Sequence, residues 1–220
     1  MSKISDMHTH GDEYTKNEVL SILAENPDNQ PDIGWFSQCI DFHTFPAPGL
    51  LIGIYMMDYA LSLLNAKPTD KLYAVSESIK CLPDALQVIT HCTIGNHRLR
   101  IVPIGRFAIS MNLFSTESAA EGVRVSMNTA TLTDTPALKA WFANSPSFDG
   151  KTMKKQLVDE ILRKGRGMLS WEKVRIPIVP KEKWNTEICS LCGEPVPSYM
   201  IEENAICSGC GSMKYYDTIK

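Results

Sequence analysis

The chain has 220 residues, 44% of them hydrophobic and 21% charged, with a formal net charge of −3, a make-up suited to one medium globular domain and a small appendage. No Lys/Arg cluster occurs, which argues against a general polyanion binder, because neutralising phosphates takes grouped cations. Met1–Glu13 is polar and acidic where a secretory leader carries a basic and then an apolar run, so a cytoplasmic location is expected, with the seven cysteines serving as thiols and metal ligands rather than disulfides.

In chain order, Thr15 and Glu18 form a capping box with Tyr14 able to staple onto Val19, predicting a helix from about Lys16 to Glu25. Asn26-Pro27 ends it, and after the polar loop Asp28–Asp32 a second helix starts with Asp32 as its cap. Phe36, Cys39, Ile40 and His43 fall on one stripe of that helix. Cys39 and His43 then read either as a packed thiol and a hydrogen-bonded histidine or as a ligand pair. From Phe45 to Ala66 the only formal charge is Asp58, and a helix that is apolar all round belongs in a core or a membrane. A span needs about 20 predominantly apolar residues, which this stretch reaches only by including Asp58, Ser62 and Asn65. A buried core helix is therefore expected, with Gly49-x-x-x-Gly53 marking a close helix contact rather than a membrane dimer motif.

Lys71–Val75 reads as a strand with Glu77 at its end. A short helix follows between Cys81 and Cys92, with Pro83 in its first turn and Gly95 marking the exit. Eleven residues of helix put the two cysteines roughly 16 Å apart, so a single metal site would include one and exclude the other. Cys81 near the helix N-terminus is either a packed thiol or one with a lowered pKa; Cys92, in a glycine-containing turn, can reach a site. His91 and His97 read as surface or outer groups.

Three segments of period two follow, at Leu99/Ile101, Phe107–Leu113 and Val123–Met127. The short Pro103-Ile104-Gly105 link predicts that the first two form an antiparallel hairpin beneath the apolar helix. Thr135-Pro136 starts a helix through Trp141 and Phe142. An amphipathic helix with Met153, Leu157, Val158, Ile161 and Leu162 then stops at Gly165. Val174, Ile176 and Ile178 alternate in a last strand that Pro177 assigns to an edge. The large domain is expected to close near Pro180, dividing the chain into 1–180 and 181–220.

Cys189, Cys192, Cys207 and Cys210 form a Cys-x-x-Cys, fourteen-residue, Cys-x-x-Cys pattern, four thiolates able to surround zinc tetrahedrally. Ser198–Ile201 and Ala205–Ile206 are expected to pair as the hairpin between the knuckles. About forty residues are too few for a core, so metal supplies the folding energy, and a site with four protein ligands is structural rather than catalytic. Four basic and six acidic side chains from Lys181 to Lys220 suit a docking role or a clasp on a neighbouring protein better than nucleic acid.

Taken together, these motifs resemble the FmdE family, named for a component of formylmethanofuran dehydrogenase. Phe42-His43-Thr44-Phe45-Pro46-Ala47-Pro48-Gly49 resembles its Phe-His-Gly-His-x-Cys-Pro-Gly box, Cys81-Leu82-Pro83-Asp84-Ala85-Leu86-Gln87 its Cys-x-x-Asp-Ala-Ile-Gln helix, and His91-Cys92-Thr93-Ile94-Gly95 its Gly-Cys-Thr-x-Gly turn. Cys189–Pro197 resembles the opening of its zinc finger. The resemblance implies an α+β core with a mixed sheet flanked by helices in a thioredoxin-like layout, plus a small treble-clef or ribbon zinc finger. It also implies association with molybdenum or tungsten enzymes of one-carbon metabolism, a structural zinc in the finger, and a core site that gathers His43 and Cys92. The expected partners are protein subunits of such dehydrogenases or a second copy of the chain. Phe45 and Ala47 replace the box's second His and its Cys. Our own reading of the spacing is that Cys39 restores a Cys39, His43 and Cys92 set able to hold a second zinc with an activated water. The competing expectation is a zinc-stabilised interaction module with a degenerate core site.

Overall fold

Helix α1 (Lys16–Glu25) starts on the expected capping box: Thr15 Oγ1 accepts from the Glu18 N–H at 3.3 Å and Glu18 Oε2 accepts from the Thr15 N–H at 2.7 Å. The computed structural model describes residues 14–26, 30–179 and 183–219. The acidic N-terminal stretch, Pro27–Asn29 of the first loop and the domain limit at Pro180 lie outside them. Asp32 caps helix α2 (Ile33–His43) by accepting from the Gly34 N–H at 2.7 Å, and Thr44, in the left-handed region at φ 78°, ends it. Phe36, Cys39 and Ile40 are buried on its inner stripe.

Helix α3 (Pro48–Leu64) is buried at every position from Gly49 to Met57 and again at Ala60 and Leu61. It packs against α2, against α4 (Leu82–Thr90) and α6 (Lys154–Lys164), and against strands β3 (Ala108–Leu113) and β4 (Ala119–Met127). Each large apolar side chain it withdraws from water contributes about 1.5–3 kcal/mol, which makes α3 the centre of the core. Its one charge, Asp58, is neutralised by Arg166, whose Nε lies 2.5 Å from Oδ2. Gly53 allows α4 to approach: a Cβ there would stand 3.2 Å from the Ala85 Cβ and 3.3 Å from the Leu82 Cδ2. The glycine spacing thus serves a contact between two helices of one chain, as expected. Among the described residues no helix is long and apolar enough to cross a membrane.

The sheet is five-stranded and mixed, in the order β2-β1-β3-β4-β5, with β1 at Leu72–Ser76, β2 at Leu99–Ile101 and β5 at Leu169–Pro177. The expected hairpin between Leu99–Ile101 and Phe107–Leu113 does not form. β2 runs parallel to β1 after the α4 crossover, and β3 lies antiparallel on the other side of β1. The link between them passes over the end of β1, where the Val102 N–H donates to Ser76 O and the Glu77 N–H donates to Ala108 O. A crossover helix returns the chain parallel to the strand it left, and β1 is left with a partner on each side. β5 starts earlier than expected, pairs with β4 from Leu169↔Met127 to Pro177↔Ala119, and occupies an edge, as Pro177 requires. Between β4 and β5 the chain forms α5 (Pro136–Phe142) and α6, the latter ending at Gly165, φ 52°.

The chain divides into two units, Met1–Ile178 and Val179–Lys220. In the second, the expected pairing of Ser198–Ile201 with Ala205–Ile206 is reduced to a turn of 3-10 helix at Ser198–Met200 and one bridge, Ile201↔Cys207. The two-stranded sheet there joins β6 (Thr186–Ile188) to β7 (Pro195–Pro197). The first knuckle is itself the hairpin turn.

Candidate functional site

In the small unit, Cys189 follows directly on β6, and its carbonyl accepts from the Gly193 N–H at 3.0 Å. Gly193 sits at φ 75°, a conformation that favours glycine, so the knuckle closes tightly around Cys192. The Cys207 carbonyl accepts from the Cys210 and Gly211 N–H groups in the second knuckle. Ser190 ties the two together, its N–H donating to Ala205 O and its hydroxyl to Asn204 O. Glu202 braces the second knuckle through the Ser212 N–H and hydroxyl. Cys189 and Cys207 are the only buried residues among 183–219. Two thiols, rather than an apolar core, are what the described part of this unit buries.

The four sulfurs lie within 4.8 Å of one another, and the Cys192 and Cys207 Sγ atoms are 3.9 Å apart. Tetrahedral zinc with Zn–S bonds of about 2.3 Å sets sulfurs about 3.8 Å apart, so the donor set fits that ion. Backbone N–H groups of Leu191 and Cys207 donate to the Cys189 Sγ at 3.4 and 3.2 Å. Such donors stabilise a thiolate, and the Cys192 N–H first, then those of Cys207 and Leu191, hold the Cys189 pKa down to about 6, while the neighbouring Cys192 thiol and burial push that of Cys210 up. Metal binding takes the cysteines as thiolates and so releases their protons.

In the large unit the expected set is not what meets. Among the described residues the four finger cysteines are the one group of three or more ligating side chains that converge. Cys39 is fully buried in α2, its thiol pushed up to about 12 by burial and by the nearby Asp84. Cys92 is fully buried too and donates to Leu72 O at 3.2 Å, with burial again raising its pKa. His43 closes α2 with 16% of its side chain exposed; its Nδ1 lies 2.6 Å from Asp84 Oδ2 and its Nε2 lies 4.0 Å from Cys81 Sγ. Of the two cysteines flanking α4, it is Cys81 that faces His43.

The local sequence accounts for this. Cys81-Leu82-Pro83-Asp84 puts the thiol at the N-cap of α4 and the carboxylate one turn inside it. The chain enters the helix through a tight three-residue turn in which the Leu82 N–H donates to Lys80 O at 2.6 Å with Cys81 at φ 57°, ψ −54°, a rare and strained backbone arrangement. Gly49, in the first turn of α3, leaves the space: a Cβ there would stand 3.0 Å from Cys81 Sγ and 3.3 Å from Phe107 Cζ. Phe45 packs on the imidazole with ring centroids 5.0 Å apart. Of the two readings of Cys81, the one with a lowered pKa does not hold: burial and then the Asp84 charge push the thiol up, with Lys80 only partly opposing them. Asp84 is not among the residues that the sequence singles out. Its signal is a Cys-x-x-Asp spacing across a helix start, which puts both groups on one side of the first turn.

Comparison with known proteins follows this layout. A solved structure of a tungsten formylmethanofuran dehydrogenase FmdE-like protein from Syntrophus aciditrophicus is similar to the chain, with a TM-score of 0.68 and 30% identity, covering 83% of this chain and 94% of that one. A probable S-adenosyl-L-methionine-binding protein of Archaeoglobus fulgidus is 23% identical over 211 residues, which take in 86% of this chain and 54% of that protein. The chain therefore spans about half the length of that curated relative. A family model described as FmdE, molybdenum formylmethanofuran dehydrogenase operon, matches residues 42–176, a stretch running from the His43 box through α4 and the whole sheet. The chain belongs to the FmdE family.

Proposed function

We propose that this protein is a zinc-binding accessory component in one-carbon metabolism carried out by molybdenum or tungsten enzymes, working in the cytoplasm, with its four-cysteine unit as a structural clasp for a protein partner. The observation that carries the reading is the convergence of four thiols within 4.8 Å in a unit whose only buried residues, among those described, are Cys189 and Cys207, in a chain of this family. The ion neutralises the thiolates and supplies the folding energy of the unit. The expected partner is a dehydrogenase component, or a second copy of the chain. The geometry around His43 favours the companion reading that the large unit is not a second zinc centre. Catalytic zinc takes three protein ligands, and among the described residues no three ligating atoms of the large unit converge closely enough to share an ion.

Metal analysis of the purified full chain tests this. One zinc per chain is expected, falling to none in Cys207→Ser. Iron in its place would assign the site to redox chemistry, and no metal at all would overturn the reading. A second equivalent that survives Cys207→Ser and is lost in His43→Ala would restore the core zinc.

A further inference from the structure

Cys81, His43 and Asp84 form a chain of contacts with a definite direction: carboxylate Oδ2 to imidazole Nδ1 at 2.6 Å, then imidazole Nε2 to thiol Sγ at 4.0 Å. A carboxylate on Nδ1 fixes the tautomer with that nitrogen protonated, which leaves the Nε2 lone pair aimed at sulfur. This is the order of nucleophile, base and orienting acid found in acyl-transfer triads, which are recognised by geometry and roles rather than by sequence order. The other two thiols of this unit differ: Cys39 and Cys92 are fully buried, whereas Cys81 is only half-buried. Phe45, which packs on the imidazole, is 40% exposed, and Phe42 and Ile79, close in sequence to His43 and Cys81, are exposed at 56% and 67%. Such apolar side chains suit an apolar acyl chain.

We propose that Cys81 is a nucleophile that takes an acyl group from an activated ester or thioester, with His43 as its base and Asp84 as the positioning residue. In the step, the Sγ–H proton passes to Nε2, a bond forms between Sγ and the acyl carbon, and the bond from that carbon to the leaving group breaks. His43 returns the proton to the leaving alcohol or thiol. Cys81–SH and acyl donor become Cys81 thioester and free leaving group, with no oxidant or reductant consumed. Burial and Asp84 favour the neutral thiol at rest, so the proton has to be removed during attack, which is the work of a base within reach.

The test uses the full chain with zinc bound to its finger and p-nitrophenyl butyrate as the acyl donor. One butyryl group per chain is expected, mapped by mass spectrometry to the Cys81 peptide and absent in Cys81→Ala. His43→Gln and Asp84→Asn should each slow acylation by roughly a hundredfold, with far-ultraviolet circular dichroism unchanged, and Asp84→Glu should recover much of the rate, which a purely structural role would not restore. Asp84→Asn keeps the question open to decision if His43→Gln does not fold. Acylation spread over lysines or finger thiols, an unaltered rate in a folded His43→Gln, or a second zinc that blocks labelling and leaves with Cys81→Ala would each overturn the proposal. The finger's metal content, measured on the same samples, separates its failure from that of the clasp.

Discussion

Glu77 lies just past the end of β1 with 8% of its surface exposed, and a carboxylate so placed must be paired. Arg124 of β4 grips it in a fork, Nε to Oε1 at 2.6 Å and Nη2 to Oε2 at 2.9 Å, while Arg106 stands 3.8 Å away. The Arg124 hydrogen bonds hold the Glu77 pKa below the ordinary glutamate range. A depressed carboxylate stabilises the fold above its unfolded pKa of about 4.3, and that contribution is lost as pH falls through the lower folded value. Glu77→Gln should therefore cost about 1.5–3 kcal/mol at pH 7 and progressively less on acidification. Urea midpoints of both proteins at neutral and acid pH check this, and a gap that does not narrow would assign the stabilisation to something other than the ion pair. The same residue-scale logic applies to Cys39 and Cys92. The sequence makes both ligand candidates; with zero exposure and the Cys92 bond to Leu72 O, they are expected to resist alkylation in the folded chain while Cys81 reacts.

Among the elements, β4 shows how closely the sheet is packed. Gly122 lies opposite Asn112 of β3, and a Cβ on it would collide with the Met111 carbonyl and come within 2.9 Å of the Ile176 Cδ1. The carbonyl belongs to the backbone and cannot rotate aside. Gly122→Ala is expected to destabilise by about 1–3 kcal/mol, read as a lowered urea midpoint with an unchanged slope. A neutral result would mean that β3 and β4 separate more easily than their ladder suggests. Helix α3 is legible in the sequence because an unbroken apolar run with one charge has few places to go. The expected β2–β3 hairpin fails because a short linker containing glycine constrains two strands only when nothing else competes for their edges, and β1 competes for both.

For the whole molecule, the two units draw stability from different sources. The large one has a continuous apolar cluster running from Tyr14 to Leu169. Among the described residues of the small one, the only buried side chains are Cys189 and Cys207. Chelation should therefore unfold Val179–Lys220 and leave Met1–Ile178 folded: amides of the knuckles should lose hydrogen-exchange protection on adding a strong zinc chelator, while those of α3 keep theirs. Retained protection at Cys189 to Gly211 would show that the small unit needs no metal.

Much of this molecule is written locally. Helix caps at Thr15 and Asp32, the apolar run of α3, the edge placement of Pro177 and the four-cysteine module all follow from interactions between residues close in the chain, which a pattern can display. The grouping at His43 does not. His43 and Asp84 are forty-one positions apart, and whether Cys81 or Cys92 meets the histidine depends on which end of α4 packs against the end of α2. That choice is made by the crossing of α3 and α4 at Gly49 and Gly53, where two missing side chains let the helices approach. Sequence determined which chemical groups were available; only the close packing of α2, α3 and α4 decided that Cys81, His43 and Asp84 would stand together.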